Sequence, residues 1–202
     1  MKDIKVAIFD IGNVIIGFDH MISCKKLARI SGLSPAQVYD LIFGNTLVDE
    51  FERGKIRPED FYKKICERLN IDISFGKFYN IWGDIFYLNK GMDSIISGLK
   101  KQARIFAMSN TDPLHIEFFK NKFDVFKNIE KFFLSFEIGS KKPEKKIYQE
   151  ALSYVKFPAK KVLLVDDLKK NVDAFKKMGG NGIIFKGAII LRDELEKYNL
   201  KI

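Results

Sequence analysis

The chain has 202 residues, of which 47% are hydrophobic and 30% charged, and this composition is typical of a globular protein rather than a disordered one. Its apolar runs are much shorter than the ~20 residues of a membrane-spanning helix, and the N-terminal stretch MKDIKVAIFD contains acidic residues that a signal peptide lacks. We therefore expect no membrane partner and a cytoplasmic location.

The formal net charge of +9 comes from lysines spread over most of the predicted helices. This distribution indicates a solvated surface, and we expect no nucleic-acid partner, although the overall field would attract a small anionic substrate. The two cysteines, Cys24 and Cys66, lie in helical segments without the spacing of a zinc site. We expect both to be free thiols.

Five short apolar stretches predict the strands of a parallel sheet. In chain order they are IKVAIF, ARIFAM, KFFLS, KVLLV and GIIF, each rich in β-branched or aromatic residues. A helical pattern follows each stretch, in the third case after a longer loop. This alternation predicts an α/β fold with a Rossmann-like core of about five parallel strands and helices on both faces.

Residues 18–89 interrupt this alternation and have the pattern of a run of helices. Ser34 before Pro35 is typical of a helix start, and Pro58 is a second proline at the first position of a predicted helix. The predicted organisation is therefore a core domain formed by residues 1–17 and 90–202, with an inserted all-helical domain formed by residues 18–89. Because the sequence shows no flexible Gly/Ser linker, we expect the insertion to pack against the core.

Polar side chains follow four of the predicted strands. They are Asp10 after the first strand, Ser109 and Asn110 after the second, Lys142 after the third, and Asp166 and Asp167 after the fourth. Ligands of open parallel sheets bind beyond the carboxyl ends of the strands. Each residue alone fits a helix cap or a surface position, but their occurrence at four strand ends favours a functional site.

The chemistry that these residue types favour is phosphoryl transfer. Asp10 and Asp167 offer the carboxylate oxygens that Mg²⁺ prefers, and the ion would bring an anionic phosphate up to Asp10. Ser109 would hydrogen-bond the transferring group, and Lys142 would neutralise its charge. Asp10 would then attack phosphorus and form an aspartyl phosphate that water hydrolyses.

Four stretches, matched in order over nearly the whole chain, resemble the haloacid dehalogenase superfamily. They are VAIFDIGNV, IFAMSNT, GSKKPEKKIY and VLLVDDLKKNV. The resemblance implies that the inserted helices form a cap domain that closes over the substrate. It implies a site with Asp10 and Lys142 as catalytic residues, with Ser109, Asn110 and Asn13 as substrate-binding residues, and with Asp10, Gly12, Asp166 and Asp167 as the Mg²⁺ site.

One position departs from the phosphatases of this superfamily. Gly12 stands where they usually carry a second Asp, which protonates the leaving oxygen. General acid–base catalysis is typically worth ~10²–10⁴-fold in rate, so the loss would slow the reaction without abolishing it. Asp19 and His20 are the alternative proton donors, although both also fit ordinary positions at the start of the insertion.

The stretches FDIGNV and SNTDPLH are most similar to bacterial sugar-phosphate phosphatases, including ones that act on glucose 1-phosphate. The leading hypothesis is therefore a Mg²⁺-dependent phosphatase of a small phosphorylated metabolite, with a sugar phosphate as the expected substrate. Gly12 keeps two alternatives open, namely a hydrolase of carbon–halogen bonds and a phosphate-binding protein that has lost the chemistry. The sequence leaves the choice between a monomer and a homodimer open.

Overall fold

Seven strands appear in the computed structural model, which describes residues 3–202. They are β1 (Val6–Phe9), β2 (Ile16–Phe18), β3 (Phe86–Leu88), β4 (Arg104–Ser109), β5 (Phe132–Leu134), β6 (Val162–Asp166) and β7 (Asn181–Ile184). Five of them form one parallel sheet in the order β5-β4-β1-β6-β7. The predicted Rossmann-like α/β core is confirmed, and each predicted strand lies within one or two residues of the observed one.

The helices cover both faces of this sheet and form the insertion. They are α1 (His20–Ser31), α2 (Pro35–Phe43), α3 (Leu47–Glu52), α4 (Pro58–Leu69), α5 (Phe75–Gly83), α6 (Met92–Leu99), α7 (Pro113–Lys122), α8 (Ser135–Ile138), α9 (Lys145–Val155), α10 (Lys169–Lys177) and α11 (Ala188–Glu196). Within residues 3–202, no helix combines the length and the apolar character that crossing a membrane would require.

The central strand β1 is buried on both of its faces. Val6 and Ile8 belong to an apolar cluster with the buried sides of α9 and α10, whereas Ala7 and Phe9 belong to a second cluster with α6 and α11. Because successive side chains of a strand point to opposite faces, a strand covered on both sides needs an unbroken apolar run. This requirement accounts for the sequence of β1 and for its position at the centre of the sheet.

The insertion contains α1 to α5, which share a third apolar cluster that includes Leu27, Phe51, Phe61 and Trp82. The N-terminus of α2 has the predicted cap, because the side chain of Ser34 accepts a hydrogen bond from the backbone N–H of Gln37. Such a cap satisfies one of the free N–H groups of the first turn.

The expectation of an all-helical insertion needs a correction at its two ends. β2 and β3 pair antiparallel, with Ile16 opposite Leu88 and Phe18 opposite Phe86, and they form a two-stranded ribbon where the insertion joins the core. Each strand has three residues, and apolar runs of that length do not distinguish strand from helix. The predicted boundary at residue 18 therefore falls inside β2.

Ion pairs join the insertion to the core on two sides. Asp84, which follows α5, lies 3.0 Å from the ammonium of Lys122 on α7. Arg53, which follows α3, lies 2.8 Å from a carboxylate oxygen of Glu144, which precedes α9. The insertion therefore rests directly on the elements that surround the carboxyl ends of the sheet strands.

Candidate active site

The carboxyl ends of the central strands open into one pocket of about 180 Å³. Its lining residues are Asp10, Gly12, Asn13, Phe18, Ser109, Asn110, Lys142, Asp167, Leu168 and Asn171. Seven of the eight predicted site residues are in this lining, and the eighth, Asp166, contacts Lys142. The structure therefore brings the eight residues together, and the roles that the sequence assigns to them stay predictions.

Lys142 lies between two buried carboxylates. Its Nζ is 2.7 Å from Oδ1 of Asp10 and 2.7 Å from Oδ2 of Asp166, and it also donates to the backbone oxygen of Met108 at 3.1 Å. Burial alone would lower the pKa of Lys142, but the two carboxylates outweigh this effect and hold its pKa above the ordinary value. The lysine is therefore a fixed positive charge next to Asp10.

Asp10 is held at the end of β1 by its backbone and its side chain. Its N–H donates to the backbone oxygen of Val165 at 2.8 Å, and its Oδ1 accepts the N–H of Ile11 at 2.6 Å. Burial raises the pKa of Asp10 to about 7, while Lys142 acts in the opposite direction. The direct contact with the ammonium stabilises the carboxylate form of Asp10, which is the nucleophilic form.

Three carboxylates meet at the same edge of the sheet. Asp10, Asp166 and Asp167 each place a carboxylate oxygen within 4.8 Å of the others. Asp166 is fully buried and accepts hydrogen bonds from the backbone N–H of Leu168 and the amide of Asn171, both at 2.9 Å. Asp167 is only partly buried and accepts a long hydrogen bond of 3.4 Å from Asn13. Asp167 therefore has more free capacity for a cation than Asp166.

This donor set fits a divalent cation of the Mg²⁺ type, which prefers a few carboxylate oxygens and keeps several waters. A further observation agrees with it. The side-chain oxygen of Asn171 is buried and has no hydrogen-bond partner among residues 3–202, so an acceptor beside the three acids is unused. Gly12 lines the same pocket, and its backbone carbonyl is the only ligand that it can offer.

Ser109 and Asn110 differ in how much of their polar capacity is free. The Ser109 hydroxyl makes a single long contact of 3.4 Å with the backbone oxygen of Asn110. The Asn110 side chain instead donates to the backbone oxygen of Lys142 at 3.0 Å and accepts its N–H at 2.7 Å. Asn110 therefore fixes the loop that carries Lys142, and its role in substrate binding stays a prediction.

Phe18 explains why a glycine stands at residue 12. A Cβ at that position would lie 2.9 Å from Cε1 of the Phe18 ring, which is too close for any side chain unless the ring moves. The ring thus fills the space into which a side chain at position 12 would extend. This contact was not predictable from the sequence, because Phe18 belongs to β2, which was not among the predicted strands.

Asp112 and His115 on the core contact Trp82 of the insertion. The buried carboxylate of Asp112 lies 2.7 Å from Nδ1 of His115 and accepts from Nε1 of Trp82 at 3.2 Å. The other ring nitrogen of His115 is 3.1 Å from the backbone oxygen of Trp82. Both ring nitrogens of His115 therefore face oxygen atoms, one of the core and one of the insertion. His115 therefore serves to join the two parts of the chain.

Lys141 turns away from the pocket and toward the insertion, in contrast to its neighbour Lys142. Its Nζ lies 2.9 Å from Oδ1 of Asp49 and also pairs with Oε2 of Glu52, and both acids belong to α3. Adjacent lysines are frequent in this chain, so the stretch GSKKPEKK does not distinguish the role of Lys141 from that of a surface lysine.

Comparison with known proteins gives the following similarities. A family model described as haloacid dehalogenase-like hydrolase matches residues 4–179. A D-ribitol-5-phosphate phosphatase of Bacteroides thetaiotaomicron is 25% identical, with 87% of this chain and 89% of the relative covered. The sesquiterpene phosphatase astK of Aspergillus oryzae is also 25% identical, with 89% and 88% covered. A HAD family enzyme of Bacteroides thetaiotaomicron, solved with magnesium and inorganic phosphate, superposes with a TM-score of 0.80 at 22% identity, covering 91% and 95% of the two chains.

Proposed function

The chain belongs to the haloacid dehalogenase-like hydrolases, and we propose that it is a Mg²⁺-dependent phosphatase of a small phosphorylated metabolite, with a sugar or polyol phosphate as substrate. The observation that carries this proposal is the surroundings of Asp10. Its Oδ1 lies 2.7 Å from Nζ of Lys142, and carboxylate oxygens of Asp10, Asp166 and Asp167 lie within 4.8 Å of one another. The phosphatase relative and the magnesium-bound structural neighbour support it.

Mg²⁺ held by Asp10, Asp166 and Asp167, with the carbonyl of Gly12 as a further ligand, would supply positive charge that offsets the repulsion between the nucleophile and the phosphate. The Asp10 carboxylate attacks phosphorus, the ester oxygen departs with its bonding electrons, and an aspartyl phosphate forms. Water then attacks phosphorus, which releases inorganic phosphate and restores the Asp10 carboxylate.

The other pocket residues would act on the transferring group. Lys142 neutralises charge on Asp10 and on the nearest phosphoryl oxygen, and the Ser109 hydroxyl donates a hydrogen bond to another. Such donors stabilise the transition state best when their positions are already fixed in the resting protein. Asn110 meets this need by holding the backbone of Lys142 through both its N–H and its carbonyl.

Neither of the two alternative proton donors replaces the missing acid at Gly12. The carboxylate of Asp19 caps α1 by accepting the N–H of Met21 at 2.8 Å. His20 is largely buried, and burial lowers its pKa to about 4, so the imidazole is neutral at pH 7. We infer that, without this acid, an ester whose oxygen is expelled without strong protonation, as in an anomeric sugar phosphate, is hydrolysed faster than the phosphate of a simple alcohol, which still reacts.

We propose further that α1 to α5 act as the cap, with residues 18–89 as the cap domain and residues 1–17 and 90–202 as the core. The cytoplasmic location of the protein stays a prediction from the sequence.

Of the two alternative functions, the hydrolase of carbon–halogen bonds has little use for three clustered acids. The phosphate-binding protein has little use for a nucleophile in contact with a lysine.

The experiment is a panel of phosphate monoesters incubated with Mg²⁺ and either the wild-type protein or Asp10→Asn. We expect hydrolysis of at least one ester by the wild type, its loss with a chelator, and its loss in the variant, whose circular dichroism should be unchanged. Hydrolysis by Asp10→Asn at the wild-type rate would refute the mechanism. Chloride release from a 2-haloacid without added metal would favour the dehalogenase, and binding of phosphate without turnover would favour the binding protein.

A further inference from the structure

A second, smaller cavity of about 50 Å³ adjoins the pocket of Asp10, between the core and the insertion. It shares four lining residues with that pocket, namely Gly12, Phe18, Ser109 and Asn110. Its other lining residues are Ile11, His20, Glu52, Phe86, Thr111, His115 and Phe119. A phosphate bound beside Asp10 and Ser109 would therefore direct the rest of its ester into this cavity.

Glu52 is the acidic residue among the described residues that line the cavity. It lies at the C-terminal end of α3, and its side chain is 23% exposed. Oε2 pairs with the ammonium of Lys141, whereas no residue within 3–202 donates a hydrogen bond to Oε1. The free oxygen can accept further hydrogen bonds, and partial burial raises the pKa of Glu52 although Lys141 acts in the opposite direction.

Ion pairs hold Glu52 in this position. Lys141 contacts both Glu52 and Asp49, and Asp49 also accepts from Arg53 at 2.8 Å. Arg53 in turn contacts Glu144 of the core at 2.8 Å. Because Lys141 directly precedes Lys142, the same loop places one lysine beside Asp10 and the other beside Glu52.

We propose that Glu52 is a specificity-determining residue that accepts hydrogen bonds from hydroxyl groups of the leaving alcohol. This inference rests on the proposed phosphatase function and narrows its substrates to phosphate monoesters of short polyhydroxy alcohols or sugars. An unsubstituted alkyl chain would leave Oε1 of Glu52 without a donor, and the carboxylate would repel a second phosphate. A long isoprenoid chain, the kind of leaving group in a sesquiterpenyl phosphate, likewise brings no hydroxyl group to Glu52.

The remaining lining residues agree with a short polar ligand. His20 is neutral at pH 7, and both ring nitrogens of His115 contact oxygen atoms of Asp112 and Trp82. Neither histidine therefore places a free positive charge in the cavity. Phe86 and Phe119 form an apolar wall that would contact the carbon atoms of the alcohol. The cavity therefore combines one acceptor for hydroxyl groups with a surface for a carbon chain.

The test compares two substrates of equal chain length, ribitol 5-phosphate and pentyl phosphate, in wild-type protein and in Glu52→Gln. Hydrogen bonds to a charged group are worth enough that their loss should lower kcat/KM for ribitol 5-phosphate by about 10- to 100-fold. The value for pentyl phosphate should change by less than about 3-fold, because that substrate makes no such bond.

Asp49→Asn is the matched control, because Asp49 shares Lys141 with Glu52 but does not line the cavity. Any effect of weakening the ion pairs should lower kcat/KM for both substrates equally in this variant. An equal fall for both substrates in Glu52→Gln would overturn the inference, and so would a wild-type preference for pentyl phosphate. If Glu52→Gln does not fold, the wild-type ratio between the two substrates decides. Hydrolysis of pentyl phosphate alone would overturn the inference and keep the phosphatase, whereas hydrolysis of no ester would overturn the proposed function itself.

Discussion

Replacing Lys142 with methionine removes the positive charge between two buried carboxylates while it keeps a side chain of similar length. We expect Lys142→Met to lower the free energy of unfolding by about 3–5 kcal/mol at neutral pH without Mg²⁺, because two buried acids lose their partner. The variant should also lose phosphatase activity, since the charge beside Asp10 is gone.

The magnitude follows from the distances and the burial. Both carboxylate oxygens lie 2.7 Å from Nζ of Lys142, whose side chain is 1% exposed. At that separation, with an effective dielectric constant of about 20, each pair contributes about 6 kcal/mol of Coulomb attraction. The cost of transferring an ammonium from water cancels much of this attraction, which leaves the range of about 3–5 kcal/mol that is typical when one partner of a buried pair is removed.

The assay is urea unfolding followed by circular dichroism, with Lys127→Met as the control. Lys127 lies 2.6 Å from Asp124, but these two side chains are 78% and 90% exposed. Exposed pairs contribute less than about 1 kcal/mol, so the control should unfold close to the wild type although its ion pair is no longer than those of Lys142. A loss below about 1 kcal/mol in Lys142→Met would refute the assignment of Lys142 as the counter-charge of the site.

Three further predictions concern the metal, the glycine and the buried histidine. Asp167→Asn should lose most of the rise in melting temperature that Mg²⁺ gives the wild type, and a full rise would contradict the metal site. The Gly12→Asp variant should melt at a lower temperature than the wild type, because the new Cβ would lie 2.9 Å from the Phe18 ring. Adding Phe18→Ala to this variant should restore the melting temperature. An unchanged melting temperature in Gly12→Asp alone would count against this contact. Since the pKa of His20 is lowered to about 4 from 6.5, the stability that it contributes is present above pH 6.5 and is lost as the pH falls toward 4. The wild type should therefore lose about 2 kcal/mol more than His20→Phe between pH 7.5 and 5 in urea unfolding, and equal losses would exclude this role.

The sheet and the edge that carries the site were predictable because they depend on local patterns. Runs such as VAIF that alternate with helical patterns indicate a parallel sheet buried on both faces, and parallel strands place their carboxyl ends together. It follows that Asp10, Ser109 and Asp166 share one edge, whatever their side chains contact. The order of the strands was not needed for this step.

The contacts between the insertion and the site were not predictable in the same way. Phe18 packs over Gly12 because β2 turns back toward the pocket, and Glu52 faces the cavity because α3 ends beside Lys141. Such contacts depend on how the insertion sits on the core, which no periodicity in the sequence encodes. Arg53 is an example, because nothing in the sequence around this arginine indicates that it pairs with Glu144 of the core.

The central claim is that Asp10 becomes phosphorylated during turnover. A substrate found in the ester panel is mixed with excess enzyme and Mg²⁺, quenched with acid at short times, reduced with borohydride and digested for mass spectrometry. Borohydride converts an acyl phosphate to an alcohol, so the account predicts a transient population of peptides in which the side chain of Asp10 alone is reduced. Release of phosphate with Asp10 unmodified at every time, or with the modification on another residue, would contradict the account.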